Sequence, residues 1–393
     1  MRRPSYQPSP TALLIMRAAL WEGDAAVRAW RRVAATADID TIDPASARLL
    51  PLIHVNAQRL GVENPWRDRV RGIYRYWWAH NQLLVRIGAA AVAELEGAGV
   101  RTLLLKGVPV GLFYYGDTGL RPMSDVDILV PPGDAHRALQ TLAGMGWSPE
   151  RRVDRTYQQL LHGVSLHDAA GRTIDLHWAI HEEDIRSGAD DEAWATAVPI
   201  DVAGVRSRML APAPLLVHAL ASGAKWAEDP AVRWLPDAAL IVRRGEVDWE
   251  AFIGEVVRRR FVVRARACLA YLSDALAVPI PEAVTDELLT LPVSAFERFE
   301  HKIRTRRHAR LGELPRYWLA WARRSPDSWR DLSGFARYLR YAWDLPSLAA
   351  VPRAAATRAL RRLATGRAPD RLGLQLRSAR AGSPPASHEV VAE

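Results

Sequence analysis

The chain has 393 residues, 49% hydrophobic and 25% charged, which excludes a disordered composition and is long enough for more than one core. One cysteine, Cys268, excludes an internal disulfide framework and a cysteine-rich zinc centre; in a helical run with Leu269, Leu272 and Leu276 it reads as a buried thiol. The net charge of +9 admits a polyanionic partner, but much of the excess lies between Arg353 and Arg380, where a solvated helix and a tail account for it equally well.

Residues 1–10 carry three prolines and little to bury, so a flexible arm is expected there. Thr11 to Leu20 is apolar but short and is interrupted by Arg17, so neither a signal peptide nor a membrane span is expected, and the reading is a cytoplasmic protein without a membrane partner. Residues 11–99 are helical in pattern. Asp43-Pro44 reads as an N-cap followed by proline at the first helical position, and a long amphipathic stretch from Trp66 stops at Gly97-Ala98-Gly99. The period then changes. Val100–Leu105 reads as a buried strand, Gly107–Tyr115 as a helix and Gly116–Pro122 as a loop. Val126–Val130 is a second strand, Asp134–Gly144 a helix, Trp147–Gly171 strand-like pieces with turns, and Thr173–Ile180 a third clear strand. After about Asp201 the pattern is helical to about Leu363, and 366–393 has the composition of a disordered Arg-rich tail. The division expected is therefore an arm, a helical region over 11–99, a core over 100–200, a helical domain over 201–365 and the tail.

The chemistry concentrates in the core. In S-D-V-D-I-L-V, strand alternation turns Asp125 and Asp127 to one face while Val126 and Ile128 take the other. Their side chains start roughly 7 Å apart, from a rise of about 3.3 Å per residue. Two like charges on an apolar strand call for a compensating cation, and a divalent metal is the simplest one. In T-I-D-L-H-W-A-I, Ile174, Leu176, Trp178 and Ile180 form one face and leave Asp175 and His177 on the other. If the two strands are neighbours, three carboxylates converge as in a two-metal phosphoryl-transfer site. A D-x-D on an exposed edge would need no metal; the order and strand context of all three favour the metal.

Only Lys106, Lys225 and Lys302 are lysines among 53 basic residues. Lys106 precedes Gly107 at a strand-to-helix turn, where glycine lets backbone approach a ligand and lysine adds a compact charge for an anion.

Strand, K-G, helix, a loop with Arg121, and S-D-V-D on a strand together resemble the nucleotidyltransferase superfamily typified by DNA polymerase β. More closely, L-L-K-G…Y-Y-G…R-P-M-S-D-V-D-I-L-V followed by I-D-L-H-W is similar to the bacterial uncharacterised nucleotidyltransferase family, over about residues 100–180. The resemblance implies an α+β fold: a small mixed sheet flanked by helical N-terminal and C-terminal regions. It implies Mg²⁺ or Mn²⁺ held by Asp125, Asp127 and Asp175, and an NTP donor, with ATP expected. Asp175 would lie nearest the acceptor hydroxyl, and pyrophosphate would leave. Lys106, Gly107, Arg121 and Ser124 would contact the nucleotide, although Ser124 could equally bond locally. Lys225 would reach it across a cleft or be an exposed lysine beside Trp226. His177 would stand behind the carboxylates, aid as a base, or be a structural histidine. One departure is plain: Val108-Pro109 follow Gly107 where a second small residue is common, and Pro109 has no N–H. Three readings of the whole follow. The acceptor is a small molecule or peptide of specialised metabolism, or a tRNA or protein modified by a toxin or regulator, or the chain is a catalytically decayed nucleotide-binding scaffold.

Overall fold

The computed structural model describes residues 4, 6–223, 232–305, 314–325 and 327–365. Seven strands are found among them: β1 (Leu103–Leu104), β2 (Val126–Leu129), β3 (Ser148–Pro149), β4 (Gly163–His167), β5 (Thr173–His177), β6 (Val198–Val202) and β7 (Val205–Met209). They form one mixed sheet in the order β3-β4-β5-β2-β1-β7-β6, in which β2 runs parallel to β5 and β1 parallel to β7, while the other pairs are antiparallel. Helices precede and follow this sheet, so the fold is the mixed-sheet, helix-flanked α+β type expected.

Local chemistry explains the helix ends. Ser9 caps the helix Pro10–Leu20 by accepting from the Ala12 amide, and Asp43 caps Pro44–Ala47 through the Ser46 amide at 2.9 Å. The long helix Arg67–Gly97 stops where its pattern ends, and Gly99 follows at φ +75°. It buries Val70, Leu84, Val85, Ala89, Val92 and Leu95. One contiguous apolar cluster runs from Ile15, through the buried residues of β1, β2 and β5, to Leu288 in the helix Glu282–Thr290. Cys268 is buried in it, and burial pushes its thiol up to about 12.

Four expectations are corrected. The strand expected over Val100–Leu105 pairs only at Leu103–Leu104, because Glu96 Oε1 takes both the Thr102 amide and its hydroxyl at 2.8 Å. β5 ends at His177 rather than Ile180: the amides of Trp178 and Ala179 both turn to the His162 carbonyl. A helix, Arg155–Leu160, lies in the stretch expected to be strand-like, capped by Asp154 accepting from the Tyr157 amide at 2.7 Å. The chain is not helical immediately after Asp201. It turns through Ala203 and Gly204, both at positive φ, into β7, and helices resume at Pro212. From there to Thr365 the described elements are helical apart from short connections. Of the expected arm, residues 4 and 6–10 are described: the Tyr6 ring meets Tyr271 edge-on at 6.1 Å, the Tyr6 carbonyl accepts from Trp234 Nε1 at 3.2 Å, and a helix already begins at Pro10. The Arg-rich tail lies wholly outside the described residues, and no described helix is long and apolar enough to cross a membrane.

Candidate active site

The pairing of β2 with β5 brings the carboxylates together. Asp127 stands directly opposite Asp175 in a parallel register, and neighbours in register on adjacent strands project to the same face. On the far side of β5, Ser165 of β4 is opposite Asp175 and donates to its Oδ1 at 2.6 Å. His177, two residues on, reaches back with Nε2 to Asp127 Oδ1 at 3.2 Å. Its ring is held by close packing against β4: a Cβ on Gly163 would stand 2.9 Å from His177 Nδ1 and 2.6 Å from the Leu176 carbonyl, so only glycine fits there.

The chain leaves β1 with the Leu105 amide donating to the Asp127 carbonyl, and the next residue, Lys106, places Nζ 2.8 Å from Asp127 Oδ1. Gly107 opens the helix Gly107–Phe113 against the carboxylate loop. A Cβ there would lie 3.4 Å from Met123 Sδ and 3.8 Å from Asp127 Oδ2. Val108 and Pro109, which follow, are both buried, Val108 within the apolar cluster. Their departure from the superfamily pattern is thus a packing feature.

Burial disfavours charge on Asp127, yet Lys106 and then His177 hold its carboxyl well below the usual carboxylate range. Lys106 is also disfavoured by desolvation, and Asp127 followed by Asp125 raise it above the ordinary lysine value. Asp175 moves the other way, pushed up by burial and then by the charge of Asp127. The two facing carboxylates are therefore unlike: one is held ionised beside the Lys106 ammonium, the other holds a proton more readily.

The donor atoms of Asp127, Asp175 and His177 lie within 4.8 Å of one another. Asp127 Oδ2 is buried and has no hydrogen-bond partner among the described residues. An oxygen-rich set with one orphaned buried carboxylate oxygen fits a hard divalent cation. Asp125 stands outside this group at the mouth of β2, accepting from Ser124 Oγ at 3.0 Å; Ser124 itself is exposed.

Arg121 is not open to a ligand. It is buried and doubly bonded to Asp237, Nε to Oδ1 at 2.9 Å and Nη2 to Oδ2 at 2.8 Å; Tyr115 also donates to Oδ1 at 2.8 Å. Asp237 belongs to the helix Trp234–Arg243, so this cluster ties the loop before β2 to the C-terminal helices. Asn81 of the long helix braces the same loop: its Nδ2 donates to the Thr118 and Arg121 carbonyls, and its Oδ1 accepts from the Met123 amide at 3.3 Å. Sequence reasoning missed Asn81, Ser165 and Asp237. Only Asp237 left a signal, as a lone acid in the apolar helical run W-L-P-D-A-A-L-I. Lys225 lies outside the described residues.

A cavity of ≈ 1030 Å³ opens elsewhere, beyond the carboxyl ends of β2 and β5, among Pro132, His136, Arg155, Trp178, Arg186 and Trp194. None of Lys106, Asp125, Asp127 or Asp175 lines it.

Comparison with solved structures finds similarity to an antigenic nucleotidyltransferase-like protein from Paracoccidioides brasiliensis, at 12% identity and a TM-score of 0.34, over 52% of this chain and 96% of that one. It also finds similarity to the antibiotic-resistance factor ANT(2'')-Ia, at 13% identity and a TM-score of 0.33, over 49% and 97% of the two chains. No curated protein matches. The family model described as uncharacterised nucleotidyltransferase matches residues 44–276, more than half of the chain and all of the strands and carboxylates above, and the chain belongs to that family.

Proposed function

We propose that the protein transfers a nucleoside monophosphate from an NTP to a hydroxyl acceptor, releases pyrophosphate, and depends on Mg²⁺ or Mn²⁺ to do so. The observation that carries this is the register of Asp127 and Asp175 on parallel strands, with Lys106 on one side of Asp127 and an unpartnered Oδ2 on the other. Asp127 and Asp175 would hold the metal with His177 within reach, and Asp125 at the mouth of β2 would be the third carboxylate. When bound, the metal neutralises triphosphate charge and makes the α-phosphorus more electrophilic.

The chain's own residues do the rest. Lys106 supplies the cation beside the carboxylates for the phosphates. Gly107 keeps the space next to Asp127 Oδ2 clear of a side chain. Ser165 engages Asp175 Oδ1, which leaves Oδ2 to orient the acceptor hydroxyl and take its proton. The acceptor oxygen attacks in line, its bond to the α-phosphorus forms, and the bond to the departing pyrophosphate breaks. Arg121, held by Asp237, acts by fixing the loop that delivers Asp125 rather than by touching phosphate. ATP is the donor we expect. The burial of Val108 and Pro109 supports reading them as packing residues rather than as a sign of a decayed scaffold.

Of the two acceptor classes, a small molecule or peptide and a tRNA or protein, the exposed Arg71, Arg75, Tyr76 and Trp78 on the helix Arg67–Gly97, whose Asn81 braces the loop before β2, favour nucleic acid. The test is incubation with each α-labelled NTP and Mg²⁺, reading label transfer and pyrophosphate release. Transfer lost in Asp127→Asn and on chelation is the expected result. No transfer to RNA, peptide or small-molecule pools with any NTP would count against the proposal.

A further inference from the structure

One side of the long helix Arg67–Gly97 carries exposed arginines and aromatic rings together. From Arg67 to Arg86 the sequence places five arginines against a single acid, Asp68, and interleaves Tyr74, Tyr76, Trp77 and Trp78. At 100° per residue, Arg71, Arg75 and Trp78 fall into one stripe, with Arg67 one turn before it. All four are exposed, Trp78 at 46%, and Tyr76 on the adjacent flank is 62% exposed. The Tyr76 ring already lies flat against His80, at 6.0 Å and 14° between planes. Among the described residues only Arg71 of the three stripe arginines has an ion-pair partner, the exposed Asp68 at 3.0 Å. The three charges converge: after burial, it is Arg71, Arg67 and Arg75 that hold the His54 imidazole below the ordinary histidine range.

The stripe borders the site. A Cβ on Gly119 would stand 3.0 Å from the Cβ of Trp78, Gln82 Nε2 donates to Thr118 Oγ1 at 3.0 Å, and Asn81 holds Arg121 and Met123, two residues before Asp125. The one acid of that loop on this side, Asp117, is engaged by the Tyr74 hydroxyl at 2.6 Å and the Gly119 amide at 2.8 Å.

We propose that this stripe docks single-stranded nucleic acid, and that a terminal hydroxyl of the bound strand is the acceptor of the transfer. The acceptor clause rests on the function proposed above; the docking surface does not. Guanidinium groups alternating with flat aromatic faces match a strand that alternates phosphates with open base faces. A duplex hides those faces, and an acidic peptide has none. In the transfer the terminal oxygen bonds to the α-phosphorus of the NTP, pyrophosphate leaves with the broken P–O bond, and the hydroxyl proton passes to Asp175.

Fluorescence anisotropy of the full chain with end-labelled 12-nucleotide RNA and DNA strands, and with an RNA duplex, tests it across a salt series. The single strands should bind more tightly than the duplex. Arg71→Ala/Arg75→Ala should flatten the slope of log K against log[salt] by about 1.4, from about 0.7 per phosphate contact. Tyr76→Ala/Trp78→Ala should weaken binding by about 5- to 150-fold per stacked base and leave the slope alone. Asp127→Asn should bind as wild type does. Arg71, Arg75, Tyr76 and Trp78 are exposed, so thermal unfolding of the stripe variants close to wild type is expected and serves as the fold control. Absence of binding at low salt, equal binding by the stripe variants, equal binding of the duplex, or equal competition by polyglutamate overturns the docking surface. Transfer of α-label to the strand, reduced in the stripe variants, is expected; stripe-dependent binding without transfer, by a protein that binds Mg²⁺–NTP, overturns the acceptor clause. Strand binding by a protein that takes up no Mg²⁺–NTP refutes the proposed function and leaves the docking surface standing.

Discussion

Removing the negative charge of Asp237 should destabilise the whole protein more than any change at the exposed rim of the site. Asp237→Asn keeps the shape but leaves the Arg121 guanidinium, 5% exposed, without a counter-charge and sets an amide N–H₂ against Nη2, where a carboxylate oxygen now accepts at 2.8 Å. Breaking one partner of a buried pair costs about 3–5 kcal/mol. With an unfolding entropy of about 2.1 cal/mol/K per residue over a chain of this length, that is a fall in Tm of about 4–6 °C. Arg121→Met should cost a similar amount by leaving Asp237 uncompensated. The double variant Arg121→Met/Asp237→Leu removes both charges, and its remaining penalty is the stranded Tyr115 hydroxyl, about 1–3 kcal/mol. Urea denaturation of wild type, Arg121→Met, Asp237→Leu and the double variant gives the cycle. Single variants costing under 1 kcal/mol, or a double variant losing the sum of the singles, would refute the reasoning that the pair is a mutually dependent buried unit.

Three further outcomes are expected. Gly107→Ala should fold normally, since its Cβ meets only ordinary contacts at 3.4–3.8 Å, but it fills the space beside Asp127 Oδ2; Mg²⁺–NTP affinity should drop roughly tenfold (about 1.4 kcal/mol) by nucleotide titration. His301 is pushed down to about 4 by burial and then by Arg264. Its folded value is below the unfolded one, so it costs no stability above pH 6.5 and drains up to about 1.4 kcal/mol per pH unit as pH falls toward 4; His301→Phe should flatten the urea midpoint over that window. The Cys268 thiol, buried and raised to about 12, should resist iodoacetamide in the native protein and react fully after unfolding, as read by mass spectrometry.

The two central strands and their acids were legible because they combine period-two alternation with hard punctuation, Pro131-Pro132 after β2 and Gly171 before β5. Lys106 was legible through composition, as one of only three lysines among 53 basic residues. The bond network was not. Arg121 and Asp237 are 116 residues apart, and nothing in either local pattern names the other. Arg121 therefore reads from sequence as an open phosphate contact when its charge is already spent on a carboxylate. Asn81 sits on a helix whose apolar period continues through it, and only the fold shows that the loop before β2 passes over that point. β7 was hidden because V-R-S-R-M buries a serine, Ser207, where the alternation calls for an apolar residue. The short helix Arg155–Leu160 is held by its Asp154 cap and too brief for a periodic signal.

The central claim is that Asp127 and its neighbours form a metal-dependent nucleotide site. The most direct measurement is the thermal stability of wild type and Asp127→Asn with each NTP, with and without Mg²⁺, which needs no acceptor. Ligand at about 100 times its Kd adds about 2.7 kcal/mol, or about 3 °C for a chain of this length. That rise is expected for at least one NTP, only with Mg²⁺ present, and should be lost in Asp127→Asn. No shift with any NTP, or an equal shift in Asp127→Asn or without Mg²⁺, would contradict it.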